Sequence, residues 1–272
     1  MPDKQRIAST IDVDVSVTQA PVIFMLVMRA VLFDFGGTLD FPRHWLDRFV
    51  THYQSAGLPI DRELLDRAFS LATKTAYGSS RALRNFNLSQ LVGYLVELQF
   101  KYLVTEGTAA MHDLLSNGSS QSVTELKAQI RDSFVAESMI GLGASRPLLV
   151  SLARTVKIGV VSNFYGNLDR VIEEAHLARL VTGIADSGML GFYKPDLRIF
   201  AASLAELGVE PHDAVMVGDS IAKDCAPAHA LGMTTVWLRN RELKGDRTPS
   251  LPAPDFTIDK LDQLKDLRWS AS

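Results

Sequence analysis

The sequence predicts an α/β protein: a doubly wound, Rossmann-like parallel sheet interrupted by an all-helical insertion. Three observations predict it. An apolar run, Ala30–Phe33, meets Asp34 and then Gly36-Gly37-Thr38, the pattern of a buried strand that ends in a tight turn. The block from Phe41 to about Ser145 has helix-face spacing and no strand pattern. After Pro147, short apolar runs alternate with helical segments, as βαβ crossovers in a parallel sheet require. The α/β core is therefore expected over residues 28–40 and 146–272, and an inserted helical domain over residues 41–145.

The 272 residues are 47% hydrophobic and 22% charged, enough apolar material for a sizeable core. The formal net charge is −3 and the isoelectric point about 6.1. Nucleic acid is not expected as a partner, because phosphate binding needs concentrated basic charge. The single cysteine, Cys225, excludes an internal disulfide and a cysteine-based zinc site. It fits a reducing, cytoplasmic setting. Ala20–Phe33 is almost wholly apolar, but a membrane span needs roughly 20 such residues. No membrane partner is expected. Met28 begins the run into the first strand, and residues 1–27 read as a partly disordered extension from an upstream start codon. An extra edge strand over Pro21–Val27 is the alternative.

Within the helical block, Trp45, Leu46, Phe49 and Val50 share a face, and Gly57 and Pro59 end that helix. Asp61 can cap the next helix, with Leu64, Leu65, Ala68 and Phe69 on its apolar side. Gly78-Ser79-Ser80 breaks it. Phe86–Val104 has the strongest helical pattern, and further helices are expected over Thr108–Ser116 and Ser122–Val135. In the second half, strands are expected at Val156–Ser162, Val181–Ser187, Ala214–Val217 and Met233–Leu238, with Phe256–Ile258 as a late edge strand. Helices are expected at Leu168–Leu180 and Asp196–Leu207, the latter stopped by Gly208. Buried parallel strands read as unbroken apolar runs, as these do. Arg239–Pro254 reads as a surface loop.

The chemistry-bearing residues sit at strand tips. The first strand ends at Asp34, the Val156 strand at Ser162-Asn163, and the Ala214 strand at Asp219. Carboxyl ends of parallel strands converge on one edge, so these groups can share a site. Two aspartates placed together repel unless a cation lies between them. Oxygen ligands of this kind suit magnesium with a substrate phosphate. Lys194, just before a helix, can reach the same edge and balance that charge.

VLFDFGGTL, VVSN, Lys194-Pro195-Asp196 with Ile199-Phe200, and VGDSIAKD occur in that order between Ala30 and about Leu238. Together they resemble the four motifs of the haloacid dehalogenase superfamily, mostly magnesium-dependent phosphohydrolases. The helical insertion resembles the cap of its subfamily I. The resemblance implies Asp34 as the nucleophile that forms an aspartyl-phosphate. It implies Mg²⁺ held by Asp34, the backbone carbonyl of Gly36 and Asp219, with Asp224 supporting that shell. It also implies that Thr38, Ser162 and Asn163 line the phosphoryl site and that Lys194 neutralises its charge. The substrate implied is a small phosphorylated metabolite.

One position departs from the family pattern. Phosphatases of this kind carry an acid two residues after the nucleophile, and here that residue is Gly36. Such an acid–base group is worth about 10²–10⁴-fold. A group from the cap could replace it, with His44, Lys74 and Tyr77 as candidates. An acid restored at position 36 is expected to raise hydrolysis of alkyl phosphates, unless the glycine makes room for a cap group. Three other readings compete: a 2-haloacid dehalogenase, a phosphonate hydrolase using Lys74, and a catalytically weak binding protein. Trp45, Trp237 and Trp269 read as packing residues, Arg81 and Arg84 as a solvated face, and His176, His212 and His229 as remote from the motifs. Cys225 reads as a small buried residue beside Asp224.

Overall fold

The computed structural model describes residues 28–107, 123–239 and 251–267. The expected extension over residues 1–27, the helix expected at Thr108–Ser116, residues 240–250 of the expected loop and Trp269 lie outside these.

Six strands among the described residues form one parallel sheet: β1 (Ala30–Phe33), β2 (Lys157–Ser162), β3 (Gly183–Asp186), β4 (Ala214–Gly218), β5 (Thr234–Leu238) and β6 (Phe256–Ile258). Their order is β3-β2-β1-β4-β5-β6. From the central β1 the chain winds outward first through β2 and β3, then back through β4 to β6. The order therefore reverses beside β1, which is where open α/β sheets bind ligands. In register, Phe33 pairs with Val160 on one side and Val217 on the other. One or two residues further on, Asp34, Ser162 and Asp219 lie at one edge of the sheet.

Both faces of the sheet are covered, as buried parallel strands require. Val31, Phe33, Ile158, Val160, Val215 and Val217 pack into one apolar core. The alternate residues Ala30, Leu32, Ala214 and Met216 pack into a second, with Ile199 and Phe200. Between β1 and β2 lie the helices α1 (Trp45–Ser55), α2 (Arg62–Gly78), α3 (Ser80–Leu83), α4 (Leu88–Glu106) and α5 (Val123–Leu152). After β2 come α6 (Leu168–Glu174), α7 (Ser187–Leu190), α8 (Leu197–Leu207) and α9 (Ala226–Ala230). The expected caps hold locally. Asp61 accepts from Leu64 N–H at 2.7 Å, and Asp196 caps α8, which ends at Gly208 with a left-handed φ of 62°. No helix among the described residues is long and apolar enough to cross a membrane.

Two elements differ from the sequence expectation. The helix expected to reach Leu180 stops at Glu174. His176 adopts a φ of 57°, His176 N–H bonds Glu173 C=O at 2.9 Å, and Leu177 N–H bonds Ile172 C=O at 3.0 Å. This is a Schellman closure, with buried Leu177 as its apolar contact. The apolar spacing of Leu177 mimicked a further helical turn. Conversely, α5 does not end near Val135 but continues through Pro147 to Leu152. Proline inside a helix costs about 3 kcal/mol. Burial of Leu142, Leu148, Leu149 and Leu152 offsets this, at roughly 1.5–3 kcal/mol per side chain.

α5 therefore runs from the helical insertion into the core layer beside β2. It presses on the turn after β1: a Cβ at Gly141 would lie 1.6 Å from the Asp40 carbonyl oxygen. Gly141→Ala is expected to destabilise the protein by about 3 kcal/mol, the upper end for overpacking, measured by urea unfolding. An unchanged midpoint would contradict this packing.

Candidate active site

The site begins where β1 ends. Asp34 N–H bonds Val217 C=O at 2.9 Å, so the sheet fixes this backbone up to the tip. Residues Phe35–Leu39 then form a wide helical turn. Gly37 has a φ of 94°, and a Cβ there would lie 2.3 Å from Asp219 Oδ2. Only glycine satisfies both the left-handed backbone and that close approach.

The side chain of Asp34 is buried and surrounded by donors. Its Oδ1 accepts from Lys194 Nζ at 2.6 Å and from Ser162 Oγ at 3.1 Å. Its Oδ2 accepts from Thr38 Oγ1 at 3.4 Å. Lys194 Nζ also donates to Asp224 Oδ1 at 2.6 Å, and Asp224 Oδ2 accepts from Ser220 N–H at 3.0 Å. Asn163 holds the lysine's backbone from both sides. Its Oδ1 accepts from Lys194 N–H at 2.7 Å, and its Nδ2 donates to Lys194 C=O at 3.1 Å. Asn163 thus positions Lys194 and also lines the cleft beside Asp34 and Ser162.

Asp219 lies opposite Asp34. Trp237 Nε1 donates to the Asp219 carbonyl at 2.9 Å, so this tryptophan fixes the tip of β4 as well as packing. One ligand atom from each of Asp34, Asp219 and Asp224 falls within 4.8 Å of the others. Burial, and then the facing charges of Asp34 and Asp224, hold the Asp219 carboxyl well above the usual range. Burial pushes Asp224 up to about 6, although Lys194 pulls it back. Burial disfavours the Lys194 charge, yet Asp224 and Asp34 outweigh it and keep this ammonium firmly protonated. Three carboxylates against one ammonium leave a deficit of positive charge. A hard divalent cation would remove it.

Gly36 is not required by its backbone, which has φ −77° and ψ 113°. It is crowded by Trp45. A Cβ at position 36 would lie 3.1 Å from Trp45 Nε1 and 3.3 Å from Cδ1. The indole is held there by a 2.7 Å hydrogen bond from Nε1 to Asp40 Oδ2 and by edge contacts with Phe134 and Phe164. Asp40 is fully buried and also accepts from Gly37 N–H at 2.9 Å and Arg48 Nη1 at 2.6 Å. Arg48, itself fully buried, continues to Glu137 Oε2 at 2.8 Å and Phe134 C=O at 3.1 Å. One polar network therefore ties α1 and α5 to the turn that carries Asp34. Sequence reasoning missed Asp40, Trp45 and Arg48 as site residues. A tryptophan five residues after an aspartate carries no signal of its own.

These groups open into a cleft of about 1130 Å³ between the sheet edge and α1 and α2. His44, Lys74 and Tyr77, the three candidates for a relocated acid, all line it. The Tyr77 hydroxyl donates to Asn163 C=O at 3.4 Å, and burial pushes its pKa up, which makes it a weaker acid than a free phenol. Lys74 is exposed. His44 caps α1, accepting from Leu46 N–H through Nδ1 at 3.2 Å. Arg84 leaves the cleft unlined. It pairs with Asp169 and donates to Gly166 C=O at 3.2 Å, joining the insertion to the loop after β2. His176, His212 and His229 are exposed away from the cleft. Cys225 is buried, and burial beside Asp224 and Asp219 raises its thiol pKa.

Comparison with known proteins shows the family and the fold. A family model described as haloacid dehalogenase-like hydrolase matches residues 28–232. A Bos taurus protein named haloacid dehalogenase-like hydrolase domain-containing protein 3 is 29% identical over 213 residues, covering 76% of this chain and 80% of its own length. A glyceraldehyde 3-phosphate phosphatase from Methanothermobacter thermautotrophicus is 24% identical over 262 residues, covering 89% and 100%. Among solved structures, a dehalogenase with an intermediate complex superposes with a TM-score of 0.60 at 17% identity, covering 90% of this chain and 99% of that one. That likeness is one of fold.

The contact between Gly36 and Trp45 adds a stability cost to the sequence expectation for an added acid. Gly36→Asp is expected to destabilise the protein by about 1–3 kcal/mol, because the indole is hydrogen-bonded in place. Thermal unfolding checks this, and an unchanged or raised melting temperature would show that the indole yields freely.

Proposed function

The chain belongs to the haloacid dehalogenase-like hydrolase family, and from that premise we propose that it is a magnesium-dependent phosphatase. Its substrate is a small phosphorylated metabolite, and it works through an aspartyl-phosphate on Asp34. The observation that carries this reading is the pairing of Asp34 with Lys194 at 2.6 Å inside a cluster of three carboxylates. A nucleophilic carboxylate needs its charge balanced as it meets an anionic phosphoryl group, and Lys194 is the balancing group.

In this reading Asp34 Oδ2, the oxygen not bonded to Lys194 and Ser162, attacks phosphorus. The electron pair of the broken phosphorus–oxygen bond leaves with the ester oxygen. Thr38 and Ser162 supply hydroxyl donors to phosphoryl oxygens. Asp224 orients Lys194 and, through Ser220 N–H, the loop after β4. Water then cleaves the aspartyl-phosphate.

The donor set fits magnesium. Asp34 and Asp219 offer carboxylate oxygens, Gly36 offers a backbone carbonyl, and Asp219 has no side-chain donor of its own among the described residues. Bound there, Mg²⁺ would supply charge neutralisation for the phosphoryl oxygens. The same cluster speaks against a 2-haloacid dehalogenase, whose carboxylate substrate would meet uncompensated aspartates. A reducing, cytoplasmic setting belongs to the same reading, supported by the single buried Cys225.

With an aryl phosphate ester, phosphate release is expected with magnesium and not with an excess of chelator. Asp34→Asn is expected to lower the rate by at least about 10⁴-fold, the scale for loss of a covalent nucleophile. Initial-rate assays check both. Activity that survives chelation, or an active Asp34→Asn variant, would overturn the mechanism. No release with any divalent metal would favour a phosphate-binding protein.

A further inference from the structure

We infer that His44 is the hydrogen-bond donor to the leaving-group oxygen, and that the chain is built for phosphate esters whose leaving group is stable as an anion. The inference rests on the phosphatase reading above and deepens it.

It starts from the residue next to Trp45. The indole packs over Gly36, so the position two residues past the nucleophile carries no acid and is crowded for one. His44, the preceding residue, lines the same cleft as Asp34. Its ring is fixed in two ways. Nδ1 accepts from Leu46 N–H at 3.2 Å, and the ring packs edge-on against Phe69 at 6.2 Å between centroids. Because a backbone N–H must donate, Nδ1 holds a lone pair and the neutral ring carries its proton on Nε2. Among the described residues Nε2 has no hydrogen-bond partner, so this residue of the cleft wall has a spare N–H donor.

The surroundings favour this neutral form. Burial, then the positive charge of Lys223, lowers the His44 pKa. Asp47 and Asp34 act in the opposite sense, and Arg62 acts with Lys223. An imidazolium would also place a proton on Nδ1, facing Leu46 N–H. A neutral imidazole at a helix N-terminus can polarise an oxygen but gives up its last proton only to a very strong base.

The chemistry follows from that limit. Asp34 attacks phosphorus, the ester bond breaks, and its electron pair stays on the leaving oxygen. His44 Nε2–H stabilises that developing charge without transferring a proton. The oxygen departs as an anion or takes its proton from water. Aryl, enol and acyl leaving groups suit this arrangement, and simple alkoxides do not.

The test uses a series of phosphate monoesters with magnesium, from nitrophenyl and phenyl esters to a simple alkyl ester. Two variants separate the donor from the helix cap. His44→Ala removes both, whereas His44→Asn keeps a good N-cap and removes the Nε2 donor. For His44→Asn we expect kcat/KM to fall by about 10²-fold on the poorest leaving group, and by less than about threefold on nitrophenyl phosphate, where little charge needs holding. Equal loss across the series, or full activity on the alkyl ester, would overturn the inference while leaving the phosphatase reading intact. If the unaltered protein hydrolyses none of the esters, both fall together. A second readout needs no turnover. Nitrogen NMR of the His44 ring is expected to show a protonated Nε2 and a bare Nδ1 at about pH 7.5 to 8. A proton on Nδ1 in that range would overturn the inference.

Discussion

The site depends on one buried ammonium. Lys194 Nζ lies 2.6 Å from both Asp34 and Asp224, and without it two buried carboxylates would face each other uncompensated. Removing one partner of a buried pair typically costs about 3–5 kcal/mol, so the lysine organises the fold locally as well as the chemistry. It also sets which oxygen of Asp34 is available. Oδ1 is taken by Lys194 and Ser162, and Oδ2 faces the weaker Thr38 contact. Asn163, just past β2, fixes the lysine through its backbone, so a separate segment of the chain sets the reach of Nζ.

A second constraint comes from the insertion. The turn after β1 is clamped from above by Trp45 and Arg48 through Asp40, and from the side by the close approach of Gly141 in α5. Asp40 and Arg48 are both fully buried, which is tolerable only because every bond they need is made within that network. The consequence reaches the chemistry. The network that rigidifies the nucleophile's turn also parks an indole where a general acid would extend. Gly36 is then the small half of a matched pair rather than a simple loss.

Much of this was legible in the sequence, for a physical reason. Strand tips converge, so Asp34, Ser162 and Asp219 announce a shared edge once the apolar runs before them are recognised. Lys194 follows from charge balance. What stayed hidden depends on contacts between distant segments. Asp40 and Arg48 are ordinary charged residues until folding buries them against the half-buried Glu137. Trp45 reads as packing, which it is, and only the three-dimensional neighbour reveals that it packs on Gly36. His176 ends a helix in a conformation that its residue type rarely adopts, so the apolar spacing beyond it pointed the wrong way. Pro147 reads as a break, and the burial of Leu148 and Leu149 carries the helix past it.

The central claim is that Asp34 carries the phosphoryl group. The most direct measurement is peptide mass spectrometry after rapid acid quenching during turnover of an aryl phosphate with magnesium. The account predicts one added phosphoryl group on the peptide containing Asp34, sensitive to hydroxylamine as an acyl phosphate should be. A phosphoryl group on another residue, or turnover with no adduct on any peptide under conditions that preserve acyl phosphates, would contradict it.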